Sequence, residues 1–354
     1  MYDNPMKKYF WSLFLIFLMT PSVTNAHEQV RESKKNSIDN YETITISQSG
    51  SLFYSVTNEI ITSVKNVDAN LSFIGRANIG MEKILDYSGK EKLTTKTDYL
   101  YSVSIKTVEK DFADYIYSDS ISSKIKDDLI IISELTANFY SIQIGDVIHL
   151  IGMNGEPVEI VVGDIVPDAE LGWYEGVVNK ELGFKLGIYR NIQAIIWDDK
   201  ITENHLIEIY RNIKYKKVKI SDKNSSPNKN WILPTALVKE KFGDFQIKEK
   251  DGTWIITEPA WREANIERLE MPIIGRATCH KLMWEPLRGV LNQIEAEGLG
   301  YTLSKEEFRT SGGCYAPRRI SRFDAGGSIS RHAWGIAIDI NTKSGYHPRV
   351  VEIF

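Results

Sequence analysis

The chain has 354 residues, 42% of them hydrophobic and 25% charged, which is ordinary globular composition with room for two cores. Its formal charge of −4 leaves no basic footprint, which argues against a nucleic-acid partner.

In chain order, the first 26 residues stand apart from the fold. Lys7 and Lys8 precede the apolar run "YFWSLFLIFLM", which is followed by Pro21 and the small-residue stretch ending at Ala26. A basic start, a short apolar core and a small residue at the exit predict a secretory signal peptide over 1–26. The run is shorter than the roughly 20 residues that a spanning helix needs. The expectation is an exported protein, secreted or held in the cell wall or periplasm. If the leader stays uncleaved, the N-terminal region would tie it to a membrane or to the wall.

Residues 40–220 are rich in Ile, Val, Tyr and Thr, with strand-like runs such as "YETITIS" and "YLYSVSIKTV". Tyr140 to Val166 reads as two strands joined at Asn154-Gly155, a hairpin turn pair. Glu203 to Ile213 has the apolar spacing of a helix. The segment is therefore predicted as a strand-rich α+β module, without a site of its own. Its run "IGDVIHL…VEIVVGDIV…LGI" is loosely similar to the extracytoplasmic domains of some bacterial ABC permeases, a likeness that assigns no function. The polar stretch 221–230, with Pro227, reads as a linker.

A second domain is then expected over 231–354. "DFQIKEKDGTWIIT" alternates around Asp251-Gly252 as a hairpin does, and "WEPLRGVLNQIEAEGLG" predicts a helix with Leu287, Val290, Leu291 and Ile294 on one face. Cys279 and Cys314 are the two cysteines of the chain. In an oxidising compartment they could pair, and two buried free thiols are the alternative.

Near the end, "SRHAWGIAIDIN" places His332 and Asp339 seven positions apart. Its alternation predicts a strand with Ile336, Ile338 and Ile340 on the buried side and Asp339 on the other. Fully extended, the two side chains would stand roughly 23–25 Å apart. Two donors on one zinc ion lie only about 3–4 Å apart. Shared ligation therefore requires the chain to fold back, and Gly335 is the residue that can take the turn.

Ser330-x-His332-x-x-Gly335-x-Ala337-x-Asp339 resembles the S-x-H-x-x-G-x-A-x-D motif of the VanY-like D-alanyl-D-alanine carboxypeptidase and peptidoglycan endopeptidase family of zinc peptidases. The likeness extends through "EPAWREANI", "MPIIGRATCHKL" and "FRTSGGCYAPRRI", over about the last hundred residues. It implies a small domain with a central antiparallel sheet and flanking helices, following the strand-rich module in an α+β chain. It also implies Zn2+ as cofactor, His332 and Asp339 as ligands, and Arg309 as the cation that steadies the oxyanion. Peptidoglycan stem peptides are the expected partners, with Ser330 and Arg318 as candidate substrate contacts because guanidinium groups grip carboxylates in pairs.

The family takes its third ligand from a later histidine, with an acidic general base three positions before it. His347, the histidine that follows the motif here, has Ser344 at that position. Asp146 and His149 have the spacing but precede the motif, and His280 is a distant alternative. The domain is thus expected to be cut short, with the third ligand beyond Phe354. Two other readings stay open. One is a non-catalytic wall-binding or scaffold protein. The other is an L,D-transpeptidase-like enzyme with Cys314 as nucleophile and His332 as base, suggested by "SGGCYAPR".

Overall fold

The computed structural model describes residues 43–47, 54–66, 69–96, 99–126, 128–188, 192–197, 203–214, 219–222, 233–250, 254–311, 313–320 and 328–341. The segment 1–26 and most of the polar stretch, 223–230, lie outside the described residues. Described residues up to 248 belong to one compact unit, and residues 249–319 and 329–341 to another.

The first unit runs β1 (Thr43–Ser47), α1 (Tyr54–Asn66), β2 (Asn70–Leu85), β3 (Glu91–Thr94), β4 (Tyr101–Val108), α2 (Lys110–Ile116) and α3 (Asp119–Ser122). It continues through β5 (Leu129–Ser133), α4 (Glu134–Tyr140), β6 (Val147–Ile151), β7 (Pro157–Val166), β8 (Gly176–Asn179) and α5 (Lys180–Lys185). β9 (Ile192–Trp197), α6 (Glu203–Asn212), β10 (Lys219–Asp222) and α7 (Thr235–Phe242) complete it.

β2 is the organising strand. It is 16 residues long, pairs with β9 over its first third, with β4 from Gly75 to Met81, and with β6 from Gly80 onward. Because β4, β8, β5, β7 and β6 are themselves joined side by side, the β2–β6 pairing closes a six-strand barrel. β1, β3, β9 and β10 extend the sheet outside that ring. Gly75 lies at the hand-over from β9 to β4, where a Cβ would meet the Ile188 carbonyl at 2.9 Å. A barrel this small is filled by side chains. Ile79, Met81, Val103, Ile105, Ile130, Ile132, Ile148, Leu150 and Ile160 do so.

Here the expected fold class fails. The α+β chain with a central antiparallel sheet flanked by helices is replaced by a closed mixed barrel with added strands and ten helices among the described residues. The β4–β8 and β5–β7 neighbours are parallel. Parallel neighbours are joined by long crossovers, which leave no turn signature between the strands they connect. Local readings fare better: β6 and β7 are antiparallel around Gly155, which has φ +84.

The stretch 235–248 belongs with the barrel rather than with the second unit. Its anchor is Lys239 of α7, whose Nζ stands 2.7 Å from Glu175 Oε1 and 3.3 Å from Asp244 Oδ2. Nζ also donates to the Tyr140 hydroxyl at 3.1 Å and to the Ser102 carbonyl. Burial alone would lower the Lys239 pKa, but Asp244 and Glu175 overcome it and raise the value, keeping the ammonium charged.

β11 (Ile247–Lys250) and β12 (Trp254–Thr257) form a two-stranded sheet. The second unit then contains α8 (Pro259–Asn265), β13 (Ile266–Met271), β14 (Gly275–His280), α9 (Trp284–Ala296) and α10 (Lys305–Ser311). β13 and β14 form an antiparallel hairpin of six paired positions. α9 lays Leu287, Leu291 and Ile294 on it in one cluster with Ile274, Ala277, Phe308 and Ile340. The expected strand over 336–340 forms no ladder; Ile340 joins this cluster and Ile338 packs against it. Asn341 ends the run, its Oδ1 accepting from the Ser304 amide at 2.9 Å.

Candidate functional site

The second unit brings four sequence positions to one place: Cys279, Cys314, Ser330 with His332, and Asp339. Cys279 on β14 is disulfide-bonded to Cys314 across a sequence separation of 35. The Tyr315 amide donates to the Thr278 carbonyl at 2.9 Å, so the segment carrying Cys314 lies along β14. The cysteine pairing left open by the sequence is thereby decided, and the Cys314 sulfur is not a free thiol. That leaves the thiolate nucleophile of an L,D-transpeptidase without its sulfur while the bond stands.

His332 sits in a single 3-10 turn, Arg331–Trp334, in which His332, Ala333 and Trp334 are buried. Ser330 starts the turn, its Oγ accepting from the His332 amide at 3.3 Å. The Ser330 amide donates to the Arg318 carbonyl at 3.0 Å, and the Ala316 amide to the His332 carbonyl at 2.9 Å. Both faces of Ser330 are thus engaged in shaping the turn.

Gly335 ends the turn at φ +68. A Cβ there would lie 2.7 Å from the His280 nitrogen, whose N–H donates to the Gly335 carbonyl at 3.0 Å. Only glycine satisfies both the left-handed backbone and the contact with β14.

The turn fixes the histidine ring. His332 Nδ1 is 3.0 Å from the Cys314 carbonyl oxygen. A carbonyl can only accept, so Nδ1 carries the ring proton, and in the neutral imidazole Nε2 presents a lone pair. Nε2 in turn stands 3.3 Å from Asp339 Oδ2. A lone pair and a carboxylate oxygen facing each other call for a cation between them, a proton or a metal ion. Nitrogen and oxygen donors held about 3–4 Å apart suit zinc. The His332 side chain is 8% exposed and that of Asp339 36%, so the pair is buried on the histidine side and open on the other. Among the described residues no group of three or more His, Cys, Asp and Glu side chains is placed to hold a metal ion.

Arg309 is exposed on α10 and lines a cleft of about 430 Å³ with Arg268, Arg276, Lys305 and the single carboxylate Glu270. His332 and Asp339 are not among the residues lining that cleft. The Arg318 guanidinium reaches the Arg319 carbonyl at 3.5 Å, and that of Arg331 stacks over Trp334 at 5.7 Å. His280 is buried and its Nδ1 accepts from the Leu282 amide at 3.2 Å, which makes it a capping residue. In the first unit Asp146 pairs with Lys92 at 2.7 Å and His149 faces Glu159 at 3.4 Å, so these two do not form a site together. His347 lies outside the described residues.

Sequence reading missed the Cys314 carbonyl, because a backbone acceptor carries no residue signature. Compared with known proteins, the chain matches no family model and no curated protein sequence, so the resemblance stands on the motif residues alone.

Proposed function

We propose that this chain is an exported zinc peptidase that hydrolyses peptide bonds in peptidoglycan stem peptides, as a D,D-carboxypeptidase or endopeptidase. The observation that carries this reading is the His332–Asp339 pair, with Nε2 and Oδ2 3.3 Å apart and Nδ1 tied to a backbone carbonyl. A ligating histidine that gives its second N–H to a fixed acceptor is the usual outer-shell arrangement of such centres. His332 and Asp339 would hold the ion, which when bound supplies Lewis acidity towards a carbonyl and a water of lowered pKa.

The work of the chain's own residues follows from their placement. Ser330 and Gly335 set the turn, and the Cys314 carbonyl sets the tautomer. Arg309, on the cleft with Arg268, Arg276 and Lys305, offers positive charge to the carboxylates of a stem peptide. A third metal donor and a carboxylate base are required beyond the residues described.

Zinc content of the purified chain, with hydrolysis of a D-Ala–D-Ala pentapeptide, tests the proposal. Stoichiometric zinc that is lost in His332→Ala and Asp339→Asn, together with chelator-sensitive hydrolysis, is expected. Zinc-free protein without hydrolysis would move the reading to a wall-binding scaffold, since two donors alone make a weak centre.

A further inference from the structure

The barrel unit carries two cations for which none of the described carboxylates acts as counter-ion. The β2–β4 register sets Arg76 directly opposite Lys106. Like charges directly opposed across strands are destabilising. In most folds a carboxylate relieves such a pair, but here the partners are neutral. Arg76 donates to the Gln193 side chain and lies 6.0 Å from the centre of the Tyr174 ring. Lys106 Nζ donates to the Tyr117 hydroxyl at 3.4 Å and lies over the Tyr117 and Tyr174 rings at 5.6 and 6.0 Å. Nε of Arg76 is shut away from solvent with no hydrogen-bond partner. Each such group costs free energy until something accepts from it.

We propose that Arg76, Lys106, Tyr117 and Tyr174 form a receptor for a phosphate group, either the free ion or the phosphoryl end of a small ester. Arg76 and Lys106 both lie 6.0 Å from the centre of the Tyr174 ring, which gathers the two cations around one tyrosine. Tyr117 accepts from Lys106, which leaves its hydroxyl hydrogen available to an incoming oxygen. A guanidinium and an ammonium together match the two negative charges of phosphate better than the single charge of a carboxylate. Arg76, Lys106 and Tyr174 are each partly exposed, so an ion can approach them from solvent, whereas Tyr117 and Arg76 Nε lie buried behind them. Burial, and then Arg76, draw the Lys106 pKa down to about 8, the direction expected of an ammonium waiting for an anion. The proposal does not rest on the peptidase reading, which concerns the other unit.

Thermal unfolding of the full chain at neutral pH tests it, with phosphate, methyl phosphate or acetate added at matched ionic strength. At a phosphate concentration about ten times Kd, Tm should rise by about 2–5 °C beyond the chloride control, and acetate should give less. A response to phosphate alone identifies the free ion, and one shared with methyl phosphate identifies an ester. Lys106→Met should remove the increment and, without phosphate, be no less stable than wild type because the like-charge contact is gone. A purely structural cation stacked on tyrosine predicts the reverse, and that result would overturn the proposal. Should the variant not fold, acetylation of Lys106 in the wild-type chain at a pH near its pKa of about 8 gives a second readout. Phosphate should slow it several-fold, and an unchanged rate would sink the idea.

Discussion

The ring of His332 hangs from the backbone of Cys314: Nδ1 and the carbonyl oxygen are 3.0 Å apart, and the same cysteine is bonded through sulfur to Cys279 on β14. The disulfide therefore holds the residue that holds the histidine. Replacing both cysteines by serine, which opens a loop of 35 residues, should destabilise the second unit by about 3–4 kcal/mol. Zinc affinity should fall as well, by roughly 10–100-fold, as when an outer-shell partner is loosened. Thermal unfolding and zinc titration of the variant measure the two effects; unfolding alone would show that the carbonyl is held by other contacts.

Gly335 gives a sharper test of the chain reversal. An alanine there takes φ +68 and places its Cβ 2.7 Å from the His280 nitrogen. The strained backbone by itself costs about 1–3 kcal/mol. Gly335→Ala should lower Tm and weaken metal binding together, because relief of the contact moves Asp339 relative to His332. A variant as stable as the parent would contradict the packing of Gly335 on β14.

Lys239 carries the prediction for the first unit. Lys239→Met removes the cation and leaves Glu175 and Asp244, both buried, without their shared counter-charge. Breaking a buried ion pair from one side costs about 3–5 kcal/mol. Urea unfolding should show a loss of that order, and the double variant with Glu175→Gln should recover part of it.

Stability should also depend on pH in the alkaline range. Burial, then Arg76, holds the Lys106 pKa at about 8, below the ordinary lysine value of 10.5. Between those values the unfolded chain binds the extra proton, so stability rises with pH, by roughly 1–3 kcal/mol. Tyr117 and Tyr174 act oppositely, since burial raises both above 10.0 and the unfolded chain loses those protons first. Denaturation midpoints should climb above pH 8 and fall again beyond pH 10. A flat profile between pH 8 and 10 would show that Lys106 is solvated.

What the sequence by itself determined was local. Asn154-Gly155 placed a hairpin, and the spacing of Leu287, Leu291 and Ile294 placed α9 and its buried face. The distance between His332 and Asp339 along the chain required a reversal, and Gly335 makes it. Each of these depends on neighbours within a few residues, and such preferences are written in residue type and period.

The tertiary structure decided what depends on partners far away in sequence. The barrel closes because Gly80 to Leu85 of β2 meet β6, about 70 positions later, after the same strand has paired with β4. The five residues after Gly335 alternate like a strand and still form none, although the Gly335 carbonyl accepts from the His280 amide of β14. The pairing of Arg76 with Lys106 and the hold of the Cys314 carbonyl on His332 belong to the same group. Register and backbone acceptors are set by long-range packing, which no local pattern encodes.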